Sequence, residues 1–357
     1  MSEMRDLLLD TASRVFEDLC TRAVREGAEK GVWPRELWRA LEDTGLAMAS
    51  TSESRGGAGA DFADVCALVR RAGAAAIPVP LAETLLAEEV LARAGLPVHE
   101  GPLTIAPVLR CDQLVLAKNA KGWTLSGTAN RVPWGSEARA VVVVAKFQGE
   151  YRTAVLKAPP VAARGWSYAK EPRDTLRFDD VVVPNDAVSN AQGFSFDEMH
   201  FKGALYRAAA MAGALERTLE LTVRYAKERI QFGRAIGKFQ AVQQQIAVLA
   251  SQVAAASAAA HAAVDVACTS NAQFEIAAAK ARIGEAAGIA IGIAHQVHAA
   301  IGFTHEYPLH LCTRRLLSWR DEFGTESEWA AWVGRAATRV GGENLWTYLT
   351  DTQKADA

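Results

Sequence analysis

Apolar residues recur at three- and four-residue intervals over the first part of the chain. They break into short alternating runs in the middle, then return to the helical interval from about Ser195 onward. Leu7, Leu8, Ala12, Val15 and Phe16 mark one buried helical face. Pro34 stands at a first turn before ELWRALEDTG, with Gly45 as the stop after it. The Gly- and Ser-rich stretch 52–62 predicts a loop, with Asp61 starting the next helix. Pro78 and Pro80 punctuate the entry to LAETLLAEEVLARAG. Between Met4 and about Ala94 this pattern predicts four amphipathic helices.

The middle block is built of short runs rich in β-branched residues, at 103–109, 113–120, 122–127, 138–147, 151–158 and 174–183. Such spacing predicts a compact antiparallel barrel or sandwich. Beyond it, Leu205, Ala208, Ala212, Leu215, Leu219, Val223 and Ala226 form a helical stripe. Long alanine-rich helices follow at about 238–268 and 272–300, and shorter ones at about 306–319 and 326–350. Small residues on long helices favour close packing, so a four-helix bundle is expected. The fold class expected is α+β: a helical domain over 1–102, an antiparallel β-barrel or sandwich over 103–190 and a helical bundle over 191–357.

Composition narrows the function. The 357 residues are 50% apolar and 22% charged, which excludes a disordered chain. A net charge of −2 provides no electrostatic footprint for nucleic acid or an anionic membrane. The five cysteines are scattered with no CxxC pair, so neither a disulfide scaffold nor a zinc site is predicted. His261 and His305 lack a ligand partner four residues on, and no metal is expected. The start MSEMRDLLLD lacks a signal-peptide layout, and His295, Gln296 and His298 interrupt the apolar stretch from Ala286 to Phe303. A cytoplasmic protein is expected.

The chemistry concentrates in YAKERIQFGRAIGKFQAVQQQIA, residues 225–247. A helix ends near Arg229, a loop carrying Gly233 and Gly237 turns, and a second helix begins near Phe239. Arg229 there is either a surface charge complementing the helix dipole or a bidentate clamp for a diphosphate. In the second case Gln231 and Gln240 supply hydrogen bonds nearby.

This segment resembles the signature of the acyl-CoA dehydrogenase family, flavoproteins that place a double bond α,β to a thioester. QVHAAIGFTHEYPLHLCTRR, residues 296–315, resembles the family's Gln-x-x-Gly-Gly-x-Gly-Phe segment, and the helical–β–helical order agrees over nearly the whole chain. The resemblance implies FAD as cofactor. Arg229, Gln231, Phe232 and Gln240 match positions that bind its diphosphate and adenosine half across a subunit interface. Gln296 and Ala300 match positions on the adenosine side, and Thr325 a further cofactor position.

The chain departs from the family pattern in three places. Ala299-Ala300 stand where the family has Gly-Gly, which crowds the backbone there. In the β block TIAPVLRCDQLVLA replaces the Thr-Glu-Pro-x-Ala-Gly-Ser loop that faces the flavin ring. Arg131 and Pro133 fall at the family's Trp and Ser/Thr positions, with Trp134 either a shifted substitute or a packing residue. Finally, Glu322-Phe323-Gly324-Thr325 matches the Tyr-Glu-Gly-Thr turn, so Phe323 occupies the place of the catalytic base and Glu322 stands one residue away. The alternative base position, around Gly203 to Tyr206, holds no acid. Asp197 and Glu198 lie upstream as first-turn acids.

Kept cofactor residues and a missing base together imply one subunit of an α2β2 acyl-CoA dehydrogenase. Such a chain completes FAD binding for a homologous partner, acts on a fatty or sterol-like acyl-CoA, and sends electrons to an electron-transfer flavoprotein. The alternatives are a homotetramer using Glu322 as a displaced base, or a non-catalytic scaffold that binds no flavin.

Overall fold

A computed structural model describes residues 3–52, 57–120, 122–190, 192–269 and 272–350. They gather into two compact units, Met1–Ala72 with Ile77–Tyr206, and Gly73–Ala76 with Arg207–Ala357.

The first unit opens with α1 (Glu3–Leu19), α2 (Arg22–Glu29) and α3 (Arg35–Asp43), followed by α4 (Phe62–Ala75) and α5 (Leu81–Arg93). This is one helix more than the periodicity predicts. Thr21 accepts a hydrogen bond from the Val24 backbone N–H and starts a new helix where the apolar spacing alone runs on. Leu8, Ala12 and Phe16 are buried in α1 as expected, whereas Leu7 faces outward. Asp61 caps α4 through the Asp64 N–H at 2.7 Å. Gly45, with φ of 72°, ends the α3 segment in a left-handed conformation that glycine adopts without strain.

The β part contains β1 (Leu103–Ala106), β2 (Leu114–Asn119), β3 (Gly122–Pro133), β4 (Ala140–Phe147), β5 (Glu150–Lys157), β6 (Val161–Ala163) and β7 (Arg173–Val183). The sheet order is β1-β4-β2-β3-β7-β6, with β5 on β4. The expected antiparallel pairing holds for β2–β3, β3–β7, β4–β5 and β6–β7. It does not hold for β1 and β2, which both pair with β4 in parallel. β4 therefore sits between three strands, and its run Ala140–Ala145 is buried throughout, as a central strand requires. Leu116, Leu125, Val143, Leu156 and Phe178 form the centre of this core.

One buried acid in this unit predicts a pH dependence. Glu88 on α5 accepts from the Thr51 hydroxyl at 3.2 Å, and burial pushes its carboxyl up to about 8 from an ordinary 4.5. Between those values the folded chain holds a proton that the unfolded chain has released. Stability therefore falls as pH rises through this window, by at most ~1.4 kcal/mol per pH unit. Glu88→Gln removes this slope. The variant should match the wild type near pH 5 and exceed it by pH 8, in denaturant melts compared at each pH.

The second unit contains α6 (Phe196–Glu228) from Arg207 onward and the short hairpin β8 (Ile230–Gln231) and β9 (Arg234–Ala235). Next come α7 (Gln240–Asp265), α8 (Gln273–His298), α9 (Leu309–Trp319), α10 (Glu326–Val340) and α11 (Gly342–Thr350). The last predicted helix is split in two at Gly341, where φ is 80°. α7 and α8 pack side by side, with Ala256, Ala260 and Ala263 buried on one and Ala279, Ala286, Ala290 and Ala294 on the other. By length and composition alone each is apolar enough to cross a membrane.

Candidate functional site

The segment singled out by its motif folds as a platform at the joint between α6 and α7. α6 ends at Glu228, and the Ile236 N–H closes back on the Arg229 carbonyl at 2.8 Å. Between them β8 and β9 form a two-residue hairpin whose turn residues, Phe232 and Gly233, have φ of 50° and 76°. Positive φ at both positions is the turn that matches strand twist, and it lifts the Phe232 ring to 92% exposure. Gly237 keeps the turn close to α6, because a Cβ there would press on the Ala226 carbonyl oxygen at 3.0 Å. The Arg234 guanidinium lies 4.2 Å over the Phe239 ring, and Phe232 meets Phe239 edge-on at 6.2 Å.

Gln231 and Phe232 line an open groove of about 370 Å³ together with Phe239, Gln245, Gln296 and Val297. Three of the residues expected from sequence, Gln231, Phe232 and Gln296, are thus brought together from the hairpin and the end of α8. Gln240 opens α7 on the exposed side and Ala300 is exposed beyond α8, but neither lines the groove. Arg229 is exposed and holds no ion pair among the described residues. Phe239 at the helix start makes no side-chain cap, so the first N–H groups of α7 keep free hydrogen-bonding capacity. Gln245 is a groove residue the motif did not reveal. It lies inside the quoted segment, five residues past Gln240, and its helical spacing from Val242, which also lines the groove, is the signal that places it on the same face.

The groove fits the adenosine half of a dinucleotide. It offers aromatic rings for a planar base and carboxamides for its edge; Arg229, which does not line the groove, and the free N–H groups at the start of α7 are the groups available nearby in sequence for phosphate.

The Gly-Gly replacement has a structural consequence. Ala299 adopts φ of 52° and ψ of −139°, a conformation in which a Cβ is strained by ~1–3 kcal/mol. Beside it His298 is buried and stacked on Tyr225 at 4.6 Å, with its Nδ1 on the Ala294 carbonyl at 2.7 Å; it is a packing residue. Ala299→Gly should therefore stabilise the chain by about 1 kcal/mol, read as a higher Tm. A lower Tm would show that the methyl is packed rather than strained.

The turn matching the family's base position is closed by its own contacts. Phe323 is buried, and its carbonyl accepts from the Trp329 indole N–H at 2.9 Å. Arg207 Nε donates to Glu322 Oε2 at 2.6 Å, with both side chains nearly out of solvent. Lys280, wholly buried on α8, donates to the carbonyls of Arg320 at 2.7 Å and Gly324 at 2.9 Å, and burial lowers its pKa to about 8. Arg320 and Glu326 pair alongside. Thr325 caps α10 in a reciprocal box with Glu328, so its hydroxyl is engaged within its own helix start. A carboxylate held by a buried guanidinium must break that pair to take up a proton, which argues against Glu322 as a base.

In the first unit the other two expected positions are also occupied structurally. Trp134 is buried and packs edge-on against Trp33 at 6.3 Å, with Trp38 5.9 Å beyond. The Thr104 hydroxyl donates to the Pro133 carbonyl, tying the strand that replaces the flavin-facing loop to the residue at the Ser/Thr position. Arg131 sits in a bulge of β3 at φ of 54°, held by Asp112 through the Asn130 N–H. At the alternative base position the Tyr206 hydroxyl donates to Glu89, whose other oxygen pairs with Lys202 at 2.9 Å.

Comparison with known proteins identifies the family and the fold. The model for the acyl-CoA dehydrogenase N-terminal domain matches residues 2–97, and that for the acyl-CoA dehydrogenase C-terminal domain matches residues 196–337. The chain is 32% identical over 326 residues to acyl-CoA dehydrogenase IpdE2 of Mycobacterium tuberculosis, covering 88% of this chain and 91% of that one. The ChsE4-ChsE5 complex of the same organism superposes with a TM-score of 0.86 at 24% identity, over 96% of this chain and 99% of that one. Butyryl-CoA dehydrogenase of Megasphaera elsdenii superposes at 0.84 and 21% identity, over 95% and 99%. The chain belongs to the acyl-CoA dehydrogenase family.

Proposed function

We propose that this chain is the base-lacking subunit of a heteromeric, cytoplasmic acyl-CoA dehydrogenase, and that it completes FAD binding for a homologous subunit. The observation that carries this reading is the closed turn at Glu322–Thr325. Phe323 fills the base position, and the neighbouring Glu322 is committed to Arg207. α,β-Dehydrogenation needs a carboxylate to take the α-proton while bound FAD accepts a hydride from the β-carbon. This chain's residues serve the second requirement. Arg229 offsets diphosphate charge, Gln231 and Gln296 hold polar atoms of the adenosine side, and Phe232 and Phe239 cover the base.

The partner is a homologous subunit that retains its base, and an electron-transfer flavoprotein takes the electrons. The ChsE4-ChsE5 likeness supports a two-chain assembly. The exposed apolar faces left on α7 and α8, including Val248 and Ile289, supply surface for it.

The test is co-expression with a homologous, base-containing subunit, scored as acyl-CoA-dependent reduction of an artificial electron acceptor. Activity should appear only when both chains are present. Phe323→Glu in the chain alone should give no robust turnover, because the added acid enters a buried apolar position and the flavin-ring contacts stay absent. Substantial turnover from that single change would overturn the proposal.

A further inference from the structure

The segment between β6 and β7 is built as a rigid, outward-facing turn that the cofactor reading does not use. The Ser167 N–H donates to the Glu171 carbonyl at 2.9 Å, and the Ser167 hydroxyl accepts from the N–H groups of Ala169 and Glu171. Gly165 is pinned at both ends. Its N–H reaches Asp174 at 3.3 Å, and its carbonyl takes the Arg173 N–H at 2.9 Å. A Cβ on Gly165 would lie 2.3 Å from the Arg173 carbonyl, so the close approach depends on glycine. Below the turn, Glu171 and Arg173 form a buried ion pair at 2.9 Å.

On this base the side chains alternate. Ser167 and Ala169 point inward, while Arg164, Trp166, Tyr168 and Lys170 are exposed. Trp166 is 47% and Tyr168 75% exposed, and Val32, beside the glycine that approaches the Trp166 ring, is 63% exposed. Lys30 adjoins that same loop. None of Arg164, Lys170 and Lys30 has an ion-pair partner among the described residues. Two aromatic rings carried on a rigid turn, with cations that lack ion-pair partners around them, is the composition of an interface hot spot, since Trp and Tyr have few rotatable bonds to freeze on burial.

We propose that Trp166 and Tyr168, with Arg164, Lys170 and Lys30 around them, form a docking surface for a protein partner presenting carboxylates around an apolar side chain. The charge pattern selects that occupant. The chain as a whole carries a net charge of −2, so these cations are a local feature rather than general basicity. One short turn provides no groove to track a nucleic-acid backbone. This surface is independent of the cofactor groove, and its test reads neither flavin nor turnover.

The experiment uses an array of synthetic peptides in which acidic and apolar content vary independently, probed with the co-purified full-length complex. Controls are a single-stranded oligothymidylate and vesicles of phosphatidylcholine with phosphatidylserine. Retention should rise only where acidic and apolar residues occur together and should weaken with salt. It should fall by about tenfold or more for Trp166→Ala/Tyr168→Ala and for Arg164→Glu/Lys170→Glu. Unchanged Tm in both variants confirms that the turn still folds. Retention that ignores acidic content or survives both variants would overturn the proposal, as would no retention at all. So would binding of the oligonucleotide or vesicles instead, or loss of the native oligomer in the variants, which would make this face a contact between subunits.

Discussion

Arg229→Ala in the co-purified complex is expected to lose most of its bound flavin. The guanidinium is exposed and has no ion-pair partner among the described residues, so its loss should leave the fold of the single chain unchanged. In the proposed role it faces a desolvated diphosphate as one half of a charged pair, and removing one half of such a pair typically costs ~2–5 kcal/mol. That corresponds to a loss of affinity of about thirtyfold to a few thousandfold. Arg229→Lys should recover only part of it, because an ammonium lacks the bidentate fork. The unfolding free energy of the isolated chain should stay within about 0.5 kcal/mol of wild type in both variants. Wild-type flavin content in the Arg229→Ala complex would remove the hairpin from the cofactor site.

The largest effect on stability is expected at the turn that has lost its base. Glu322→Ala leaves Arg207 buried without a counter-charge, and breaking a buried pair this way costs ~3–5 kcal/mol. Glu322→Gln keeps a hydrogen-bond acceptor for the Arg207 Nε–H and should cost less. If Glu322 were instead a base, both substitutions would abolish turnover of the assembled enzyme with little change in Tm. Denaturant unfolding of the two variants beside assays of the complex therefore separates a structural Glu322 from a chemical one.

Much of this was legible in residue order. The helical stripe of α6 and the turn signalled by Gly233 are local features that patterning reports directly, whereas Phe323 stands out only through the resemblance of its turn to the family's. The features that escaped are those created by distance in sequence. A lysine in the alanine-rich α8 reads as a solvated charge, yet Lys280 is buried because carbonyls from beyond α9 converge on it. Arg207 and Glu322 meet across 115 positions, which no periodicity can show. The parallel pairing of β1 and β2 with β4 likewise depends on how the connections cross, not on the alternation within each strand. Trp134 is instructive in the same way. Its type suits a flavin neighbour, but the aromatic cluster with Trp33 and Trp38 is what holds it.

The same distinction bears on Ala299. In sequence it is a small residue in place of a small residue. In the structure it takes a positive φ that glycine would take without strain, at the end of the helix that carries Gln296 into the groove. Gln245 lines the groove although it was not among the residues singled out in its segment, since only the turn of α7 brings it beside Val242.

The measurement that bears most directly on the central claim is the flavin-to-protein ratio of the complex formed with a homologous, base-containing subunit, read by native mass spectrometry with the absorbance spectrum of the released flavin. Completion of a partner's cofactor site predicts one FAD for each pair of unlike chains, and little or none on this chain alone. An isolated chain that binds one FAD per subunit and oxidises an acyl-CoA unaided would contradict the account.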